Sequence, residues 1–540
     1  MTTLSFDSRR SPVYSRNGIV ATSQPLATAA GLEILSRGGN AADAAVAAGA
    51  ALNVTEPTST GIGGDMFALY YSADTQQVTA LNGSGRAPAA LTLERLKRDG
   101  LSIELPPFHA HTVTVPGACA GWFDLIEKHG SLPMTDILAP AIQLAREGFP
   151  VAPITSYSWQ RGAQNQLKSA PNGYELTIDG RGPNPGEIFR NPNLARTFEI
   201  VAHEGRDAFY QGEIAEAIVG VIQEAGGCMS VEDLASHVST WEEPISVTYR
   251  GLRVYECPPN GQGITALIAL NILEGFDLPS LAVLSTERLH LMIESMRLAF
   301  ADSRWYIADP KFSNIPIDGL LSKEYAQERR KLIQKDRATI DPKRGTPVHS
   351  SNTVYLSVMD KFGNACSFIN SNYMGFGTGI MPRGWGFTLQ NRGAGFSLDP
   401  RHPNALAPGK RPYHTIIPGM MTRADGSLLG PFGVMGGFMQ PQGHVQVVVD
   451  MVDDRLGAQA AVDRPRFCIE PVDGEGKVEL EEGIPKATVE ALTARGHEVL
   501  GGVTGYDRSI FGRGQIIVPG EGGAVDVGSD RRADGRGQTT

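Results

Sequence analysis

The most constraining feature of the 540-residue sequence is a threonine that begins a strand directly after a polar loop. Residues 337–352 are mostly polar and contain two prolines, which predicts a flexible connector. Thr353 then opens the alternating segment Thr353–Met359, and the turn Lys361–Asn364 leads into a second predicted strand, Ala365–Ile369. The sequence therefore predicts a β-hairpin whose first residue is the hydroxyl-bearing Thr353.

Thr353 can supply both a nucleophile and a base if the Asn352–Thr353 peptide bond is broken. The hydroxyl would attack a carbonyl carbon, and the freed α-amine, with an ordinary pKa of about 7.7–8.0, would accept the hydroxyl proton. No histidine or aspartate partner is then required. Without such a cut, a threonine at the start of a strand is explained by its β-branched side chain alone.

Many sequence blocks in the same order make the chain resemble the γ-glutamyltranspeptidases, whose precursor cleaves itself before a threonine. The blocks are Gly38–Ala44, Glu56–Gly64, Val115–Gly117, Leu144–Phe149, Pro258–Gly263, Leu270–Phe276, Thr353–Asp360, Phe376–Gly379, Lys410–Pro412 and Gly436–Gly437. Each block is weak alone, but together they extend over nearly the whole chain.

The resemblance implies an α/β (α+β) fold, the four-layer αββα sandwich of N-terminal nucleophile hydrolases. It also implies that a large fragment, 1–352, and a small fragment, 353–540, form one fold and act as a heterodimer after cleavage. The composition of residues 528–540 is charged and rich in glycine, so we expect a mobile tail. The sequence leaves open how such heterodimers assemble further.

The same resemblance assigns catalytic roles to four residues. Thr353 is the expected nucleophile, which first attacks the carbonyl of Asn352 and later an external amide. Ser371 falls where the family has a hydroxyl residue that hydrogen-bonds the amine of the nucleophile. Gly436 and Gly437 align with the glycine pair whose amides bind the oxyanion, a task that suits glycine because no Cβ blocks a close approach.

The expected substrate pocket differs from that of typical transpeptidases, which bind the α-carboxylate and the α-amine of a γ-glutamyl group. By position, Ser84 replaces the arginine, and Arg86 lies two residues further on. Tyr373 replaces the asparagine, and His414-Thr415 replace the serine pair. The segment that normally carries the amine-binding acid is Gln390–Gly395, which has no acidic residue.

A buried ammonium without a counter-charge is unfavourable, so this pocket should not favour free γ-glutamyl groups. Arg86 and Arg392 are candidate ligands for a carboxylate, and Tyr373, His414 and Thr415 are candidates for further hydrogen bonds. The predicted substrate is a small amide: γ-glutamyl compounds such as glutathione, or an amide that bears a carboxylate. Within the superfamily, oxamate amidohydrolases have a substrate of the second type, and some cephalosporin acylases take bulkier acyl groups. The acceptor would be water or an amine.

Bulk properties exclude other classes of protein. A net charge of −10 and an isoelectric point near 5.6 argue against nucleic acid or an anionic membrane as a partner. We find no signal peptide and no long apolar segment, so we expect a cytoplasmic protein. His109 and His111 have the spacing of metal ligands, but no cysteine or acidic cluster accompanies them, so we expect no metal and no cofactor.

One further class of function stays open at this stage. An uncleaved relative with this altered pocket could act as a binding protein without catalysis. A self-processed threonine amidohydrolase or acyltransferase is the interpretation favoured by the blocks around Thr353.

Overall fold

The computed structural model describes residues 10–339, 353–470, 476–520 and 522–540. Most of the predicted connector, including Asn352, lies outside these ranges. The described strands are β1 Val13–Ser15, β2 Gly18–Thr22, β3 Asp65–Ser72, β4 Gln77–Gly83, β5 Phe149–Pro150, β6 Ile188–Phe189, β7 Thr240–Glu242, β8 Ile245–Tyr249, β9 Leu252–Glu256, β10 Val354–Asp360, β11 Ala365–Ser371, β12 Gly419–Thr422, β13 Leu428–Met435, β14 Phe467–Glu470, β15 Lys477–Glu481, β16 Val499–Val503, β17 Arg513–Pro519, β18 Val525–Ser529 and β19 Arg536–Thr539.

The described helices are α1 Pro25–Ser36, α2 Ala41–Thr55, α3 Leu93–Arg98, α4 Ala118–His129, α5 Met134–Glu147, α6 Pro153–Gly162, α7 Pro192–Glu204, α8 Asp207–Tyr210, α9 Glu213–Glu224, α10 Val231–Ala235, α11 Gly263–Leu273, α12 Thr286–Tyr306, α13 Ile317–Leu320, α14 Lys323–Arg330, α15 Met439–Val452, α16 Ala458–Asp463 and α17 Lys486–Ala494.

Two antiparallel seven-stranded sheets form the centre of the fold. The first has the strand order β19-β2-β10-β11-β3-β4-β7, and the second has the order β1-β18-β17-β13-β12-β9-β8. Both sheets contain strands from before and after Thr353. A smaller sheet, β14-β15-β16, lies outside this pair.

Three apolar clusters show how the layers are stacked. One cluster joins the first sheet to helices that include α1, α2, α4 and α5. A second joins the other sheet to α11, α12 and α15. A third lies between the sheets and includes Phe67, Ile369 and Met420. The four-layer αββα sandwich expected from the sequence is therefore confirmed.

Helix α2 shows how the sequence determines one of these layers. All fifteen of its residues are buried, and nine of them are alanines or glycine, which allow close packing against β10 and β11. Asn40 caps the helix: its side chain accepts hydrogen bonds from the amides of Ala42 and Asp43, and the carboxylate of Asp43 accepts one from the Asn40 amide. Asparagine is a preferred residue at this position, so the sequence itself indicates where α2 begins.

Two expectations from the sequence were wrong. The segment Val445–Val449 has the β-branched composition that predicts a strand, but it lies within α15. This helix is buried on nearly all sides, so burial outweighs the low helix propensity of valine and removes the amphipathic pattern. The terminal segment 528–540, predicted to be mobile, contains β19, whose backbone pairs with β2 along four residues.

Two remaining features concern the cell compartment. The five cysteines are unpaired, and four of them are buried. No helix in the described ranges has the length and hydropathy needed to cross a bilayer. The cytoplasmic location stays a prediction.

Candidate active site

Three polar residues lie side by side at one end of the first sheet. Thr353 immediately precedes β10, and the register of β10 with β11 places Val354 opposite Asn370, so that Thr353 faces Ser371. Ser371 in turn lies opposite Asp65 of β3. All three side chains are completely buried. The sheet thus aligns the predicted nucleophile with a hydroxyl and a carboxylate.

The hydroxyl of Ser371 is the hydrogen-bonding centre of the site. Its Oγ lies 3.1 Å from Oγ1 of Thr353. It accepts hydrogen bonds from the backbone amide of Tyr373 at 2.9 Å and from Nη2 of Arg392 at 3.2 Å. A serine oxygen has two lone pairs, so these two donors fill the capacity of Ser371 Oγ to accept hydrogen bonds. The hydroxyl hydrogen of Ser371 can then be donated to Oγ1 of Thr353.

Arg392 brings a buried positive charge next to this hydroxyl. It begins a 3₁₀ turn, Arg392–Gly395, and its Nη1 donates to Oγ1 of Thr415 at 2.7 Å. The guanidinium stacks over the ring of Tyr373 at 4.2 Å. Burial lowers its pKa to about 10, so it stays charged at neutral pH. Among the described residues, no carboxylate oxygen lies within 4.0 Å of this guanidinium.

His414 is held by Asp65 and does not point a free donor into the site. Its Nε2 donates to Oδ2 of Asp65 at 3.0 Å, and its Nδ1 accepts from the amide of Ile416 at 3.3 Å. Burial, reinforced by the charge of Arg392, lowers the pKa of His414 to about 3. The ring is therefore neutral with both nitrogens bonded, which favours a positioning role over the predicted contact with substrate.

Asp65 is the buried anion of the site. Its Oδ1 accepts from the amides of Gly85 and Gly117 at 3.0 and 3.1 Å and from Nε2 of Gln390 at 2.9 Å. Burial acts to raise its pKa, but the hydrogen bond and charge of His414, followed by the charge of Arg392, hold the pKa below its ordinary value. Together with Nε2 of His414, four donors of the protein thus hydrogen-bond to this carboxylate.

Tyr373 retains a hydroxyl that has no hydrogen-bond partner in the described part of the chain. Its backbone has a φ of +81°, which is uncommon for a non-glycine residue. Burial raises the pKa of its phenol, while the charge of Arg392 opposes this shift. Tyr373 is therefore a neutral donor at physiological pH.

The glycine pair follows the end of β13 in the second sheet. Gly436 and Gly437 have φ values of +136° and +58°, so the chain needs glycine at both positions. Within the described ranges, neither of their amide groups donates a hydrogen bond to the protein. Gln262 links the pair to the rest of the site, because its Nε2 donates to the carbonyls of both Gly437 and Thr415 at 2.8 Å.

Arg86 does not join this group of residues. Its Nη1 donates to the carbonyl of Val238 at 3.2 Å, and burial lowers its pKa while the charges of Asp309 and Glu242 oppose the shift. No hydrogen bond within the described chain connects it to Thr353 or Ser371. Its predicted contact with substrate stays a prediction.

Three functional candidates were missed from the sequence. Asp65 directly follows the block Glu56–Gly64, and this position could have marked it as a candidate site residue. Gln390, which bonds Asp65, and Gln262, which bridges to the glycine pair, were visible only as parts of matching segments. Their roles depend on contacts between distant segments, which one sequence does not show.

One group of possible metal ligands exists elsewhere in the described chain. His290, Glu294 and His497 place one ligand atom each within 4.8 Å of one another. His290 Nδ1 and His497 Nε2 are 2.8 Å apart, which is a hydrogen-bonding distance. The guanidinium of Arg297 lies 3.9 Å from Glu294 and already supplies a positive charge. Among the hydrogen bonds of the described residues, none connects this group with Thr353 or Ser371.

Comparisons with known proteins identify the family of the chain. A profile described as Gamma-glutamyltranspeptidase matches residues 27–540. The crystal structure of cephalosporin acylase from Bacillus halodurans superposes with a TM-score of 0.92 at 45% identity, covering 100% of this chain and 99% of that one.

Two curated relatives are proenzymes. The glutathione hydrolase-like YwrD proenzyme of Bacillus subtilis is 37% identical, over 97% of this chain and 98% of its own length. The Acylase ACY 1 proenzyme of Pseudomonas sp. (strain SE83) is 34% identical, over 92% of this chain and 89% of its own. The chain therefore belongs to the γ-glutamyltranspeptidase family of N-terminal nucleophile hydrolases and is an amidohydrolase or acyltransferase.

Proposed function

We propose that the protein cleaves itself before Thr353 and then hydrolyses an external amide whose acyl group bears a carboxylate and lacks an α-amine. In the first step, Thr353 Oγ1 bonds to the carbonyl carbon of Asn352, the peptide C–N bond breaks, and the hydroxyl proton passes to the leaving nitrogen of Thr353. Water then hydrolyses the resulting ester, which leaves a carboxylate on Asn352 and a free amine on Thr353.

The same atoms carry the second reaction. The freed amine of Thr353 takes the hydroxyl proton while Oγ1 bonds to the carbonyl carbon of the substrate. That proton passes to the leaving nitrogen as the C–N bond breaks, and water hydrolyses the acyl ester. Ser371, 3.1 Å from Oγ1, would hold the nucleophile in place. The free amides of Gly436 and Gly437 would stabilise the negative oxygen, each by about 2.7–4 kcal/mol.

The observation that carries the substrate proposal is the buried Arg392. Its guanidinium donates to two neutral hydroxyls, those of Ser371 and Thr415, and no described carboxylate pairs with it. A buried charge is stable only when it is paired and hydrogen-bonded. A substrate carboxylate would supply the missing partner, close to Thr353, and the hydroxyl of Tyr373 could donate a further hydrogen bond.

The absence of an α-amine follows from the same contacts. Asp65, the carboxylate that hydrogen-bonds within the site, already accepts four hydrogen bonds and is not available to an ammonium. Placing an ammonium beside Arg392 would also bring two positive charges together in a buried site. If the protein instead prefers a substrate with an α-amine, Glu470, whose charge acts on Tyr373, is the acid that would bind the ammonium.

Self-cleavage is tested by mass spectrometry of the purified protein and of a Thr353→Ala variant. We expect fragments 1–352 and 353–540 from the wild type and one intact, inactive chain from the variant. An intact wild-type chain that hydrolyses amides would refute the mechanism, and an intact chain without activity would favour the binding-protein alternative.

Substrate class is tested with the 4-nitroanilides of glutaric acid and of γ-glutamic acid, which differ only in the α-amine. We expect a higher kcat/KM for the glutaryl compound, and we expect Arg392→Gln to abolish that preference. Oxamate serves as the smallest carboxylate-bearing amide. A preference for the γ-glutamyl anilide that disappears in Glu470→Gln would overturn the substrate proposal while leaving the mechanism intact.

A further inference from the structure

Gln262 joins two parts of the candidate active site that belong to different segments of the chain. It is completely buried and lies directly before α11, all eleven residues of which are buried. Its Nε2 donates one hydrogen bond to the carbonyl of Thr415 and one to the carbonyl of Gly437, both at 2.8 Å. Thr415 contacts Arg392, and Gly437 belongs to the glycine pair. One rigidly placed side chain therefore bridges these two regions.

The side-chain amide of Gln262 has one defined orientation. Its Oε1 accepts a hydrogen bond from the hydroxyl of Tyr413 at 3.1 Å. Burial raises the pKa of this phenol to about 12, so Tyr413 keeps its proton at neutral pH. A side-chain amide has two N–H donors, and the carbonyls of Thr415 and Gly437 use both of them. Gln262 therefore has no donor left for a substrate and can act on the reaction only through the groups that it holds.

On one side, Gln262 holds the residue that carries one of the two expected oxyanion donors. The carbonyl that it binds belongs to Gly437, whose φ is +58°, and the amide of Gln440 also donates to this carbonyl at 3.2 Å. Glycine has no Cβ to restrict its backbone, so the orientation of Gly437 depends on such contacts. Donors stabilise an oxyanion best when they are oriented before the reaction. The bond from Gln262 thus helps to keep the glycine pair in place.

On the other side, Gln262 holds the segment that contacts Arg392. Nη1 of Arg392 donates to Oγ1 of Thr415 at 2.7 Å, and the carbonyl of the same threonine accepts from Gln262. The backbone amide of Gln262 adds a second bond to this segment, because it donates to the carbonyl of His414 at 2.9 Å. A chain of three side-chain hydrogen bonds therefore runs from Arg392 through Thr415 and Gln262 to Gly437.

We propose that Gln262 is a positioning residue that keeps the glycine pair at a fixed distance from Arg392, so that a carboxylate on the acyl group raises kcat as well as lowering KM. A substrate held by Arg392 has its reacting carbonyl at a set distance from the guanidinium, and the glycine amides stabilise the negative oxygen only if they lie at that distance. A substrate without the carboxylate is not held at this point and gains little from the alignment. This inference rests on the proposed function.

The kinetic test compares the 4-nitroanilides of glutaric acid and pentanoic acid, in which a methyl group replaces the carboxylate. The variant is Gln262→Leu, which removes the three side-chain hydrogen bonds and keeps most of the volume. We expect the wild type to hydrolyse the glutaryl compound with a higher kcat and a lower KM. In Gln262→Leu, kcat for the glutaryl anilide should fall about tenfold, the effect of losing one or two neutral hydrogen bonds. Its KM should not change, and kcat for the pentanoyl anilide should fall less than about threefold.

Gln446→Leu is the matched control, because Gln446 is a buried glutamine with the same kinds of contact elsewhere. Its Nε2 donates to the carbonyls of Gln442 and Phe467, and its Oε1 accepts from the Phe467 amide, all at 3.0 Å. We expect this variant to lose stability and to keep the kinetics of the wild type. Tyr413→Phe is a second test variant, since it removes the hydroxyl that orients Gln262, and it should lower kcat about threefold for the glutaryl anilide alone. It decides the question if Gln262→Leu does not fold.

Calorimetry with glutarate, which contains no amide, shows whether the variants still bind the carboxylate. The wild type, Gln262→Leu and Gln446→Leu should bind glutarate equally, and Arg392→Gln should bind it more weakly. The inference is wrong if the ratio of kcat for the two anilides is the same in the wild type and the test variants. It is also wrong if Gln262→Leu binds glutarate more weakly, because the glutamine would then support the carboxylate site alone. If the wild type does not prefer the glutaryl anilide, the proposed function itself is wrong, and this inference with it.

Discussion

Replacing Ser371 by alanine tests whether this hydroxyl positions Thr353. The substitution removes the acceptor for two buried donors, the Tyr373 amide and Nη2 of Arg392, and the 3.1 Å contact with Thr353. Leaving a buried donor unsatisfied costs about 1–3 kcal/mol. Loss of about 2 kcal/mol of positioning at the reacting centre corresponds to about a thirtyfold slower reaction. We therefore expect both self-cleavage and amide hydrolysis to slow by about this factor.

The matched control is Ser371→Thr, which keeps the oxygen and adds one methyl group. Self-cleavage is followed over time by denaturing electrophoresis, and hydrolysis by the release of 4-nitroaniline from fully cleaved protein. We expect the threonine variant to retain most of the wild-type rate in both assays. If the alanine variant cleaves itself and turns over as fast as the threonine variant, Ser371 has no positioning role. If both variants fail equally, the site does not tolerate any change there.

Further substitutions test the other parts of the site. Gly436→Ala places a side chain at a φ of +136° and should reorient the amide, which would lower kcat about 100-fold. Gly426→Ala is the control: it is also at positive φ but lies in a surface turn, so kcat should not change. Asp65→Asn removes the charge that four donors share, and urea unfolding should show a loss of about 3–5 kcal/mol; Asp425→Asn, in an exposed turn, should change stability by less than about 0.5 kcal/mol. His414 has a folded pKa of about 3, below its unfolded value, so the unfolded state takes up a proton first as the pH falls. Stability should therefore decrease from about pH 6.5 toward pH 3, and His414→Gln should make the melting temperature less dependent on pH in this interval. An unchanged pH dependence would contradict the neutral state of His414.

Local signals made much of the fold predictable. The apolar spacing of Met134–Glu147 predicts a helix and the β-branched run Ile245–Tyr249 predicts a strand, and α5 and β8 have these bounds. Asn40 caps α2, as its residue type indicates. The prediction failed where burial on all sides erases periodicity, as in α15, and where pairing with a distant strand orders a polar segment, as in β19. Both failures have one physical cause: long-range contacts override local propensity.

The site shows the same limit. The sequence predicted Thr353 and Ser371 as site residues, and the register of β10 and β11 brings them together. It also predicted Arg392, but the surroundings of Arg392, which are hydroxyls and an aromatic ring, depend on three separate segments. His414 stands where typical transpeptidases have a substrate-binding serine, so the sequence suggested that it contacts substrate. In the structure, its Nε2–H donates to Asp65 and is not available to a substrate. Residue type alone does not reveal which donors are already used.

The interleaved strand order has a consequence for the two halves of the chain. Strand β2, from before Thr353, lies between β10 and β19, both from after it, and four later strands of the other sheet are flanked by β1 and β9. Neither half can therefore dissociate without breaking the strand pairing of both sheets. Cleavage before Thr353 would release no peptide, and the folded protein would keep its mass. Expressed separately, each half would expose unpaired strand edges and aggregate, and the halves should assemble only when they are synthesised or refolded together.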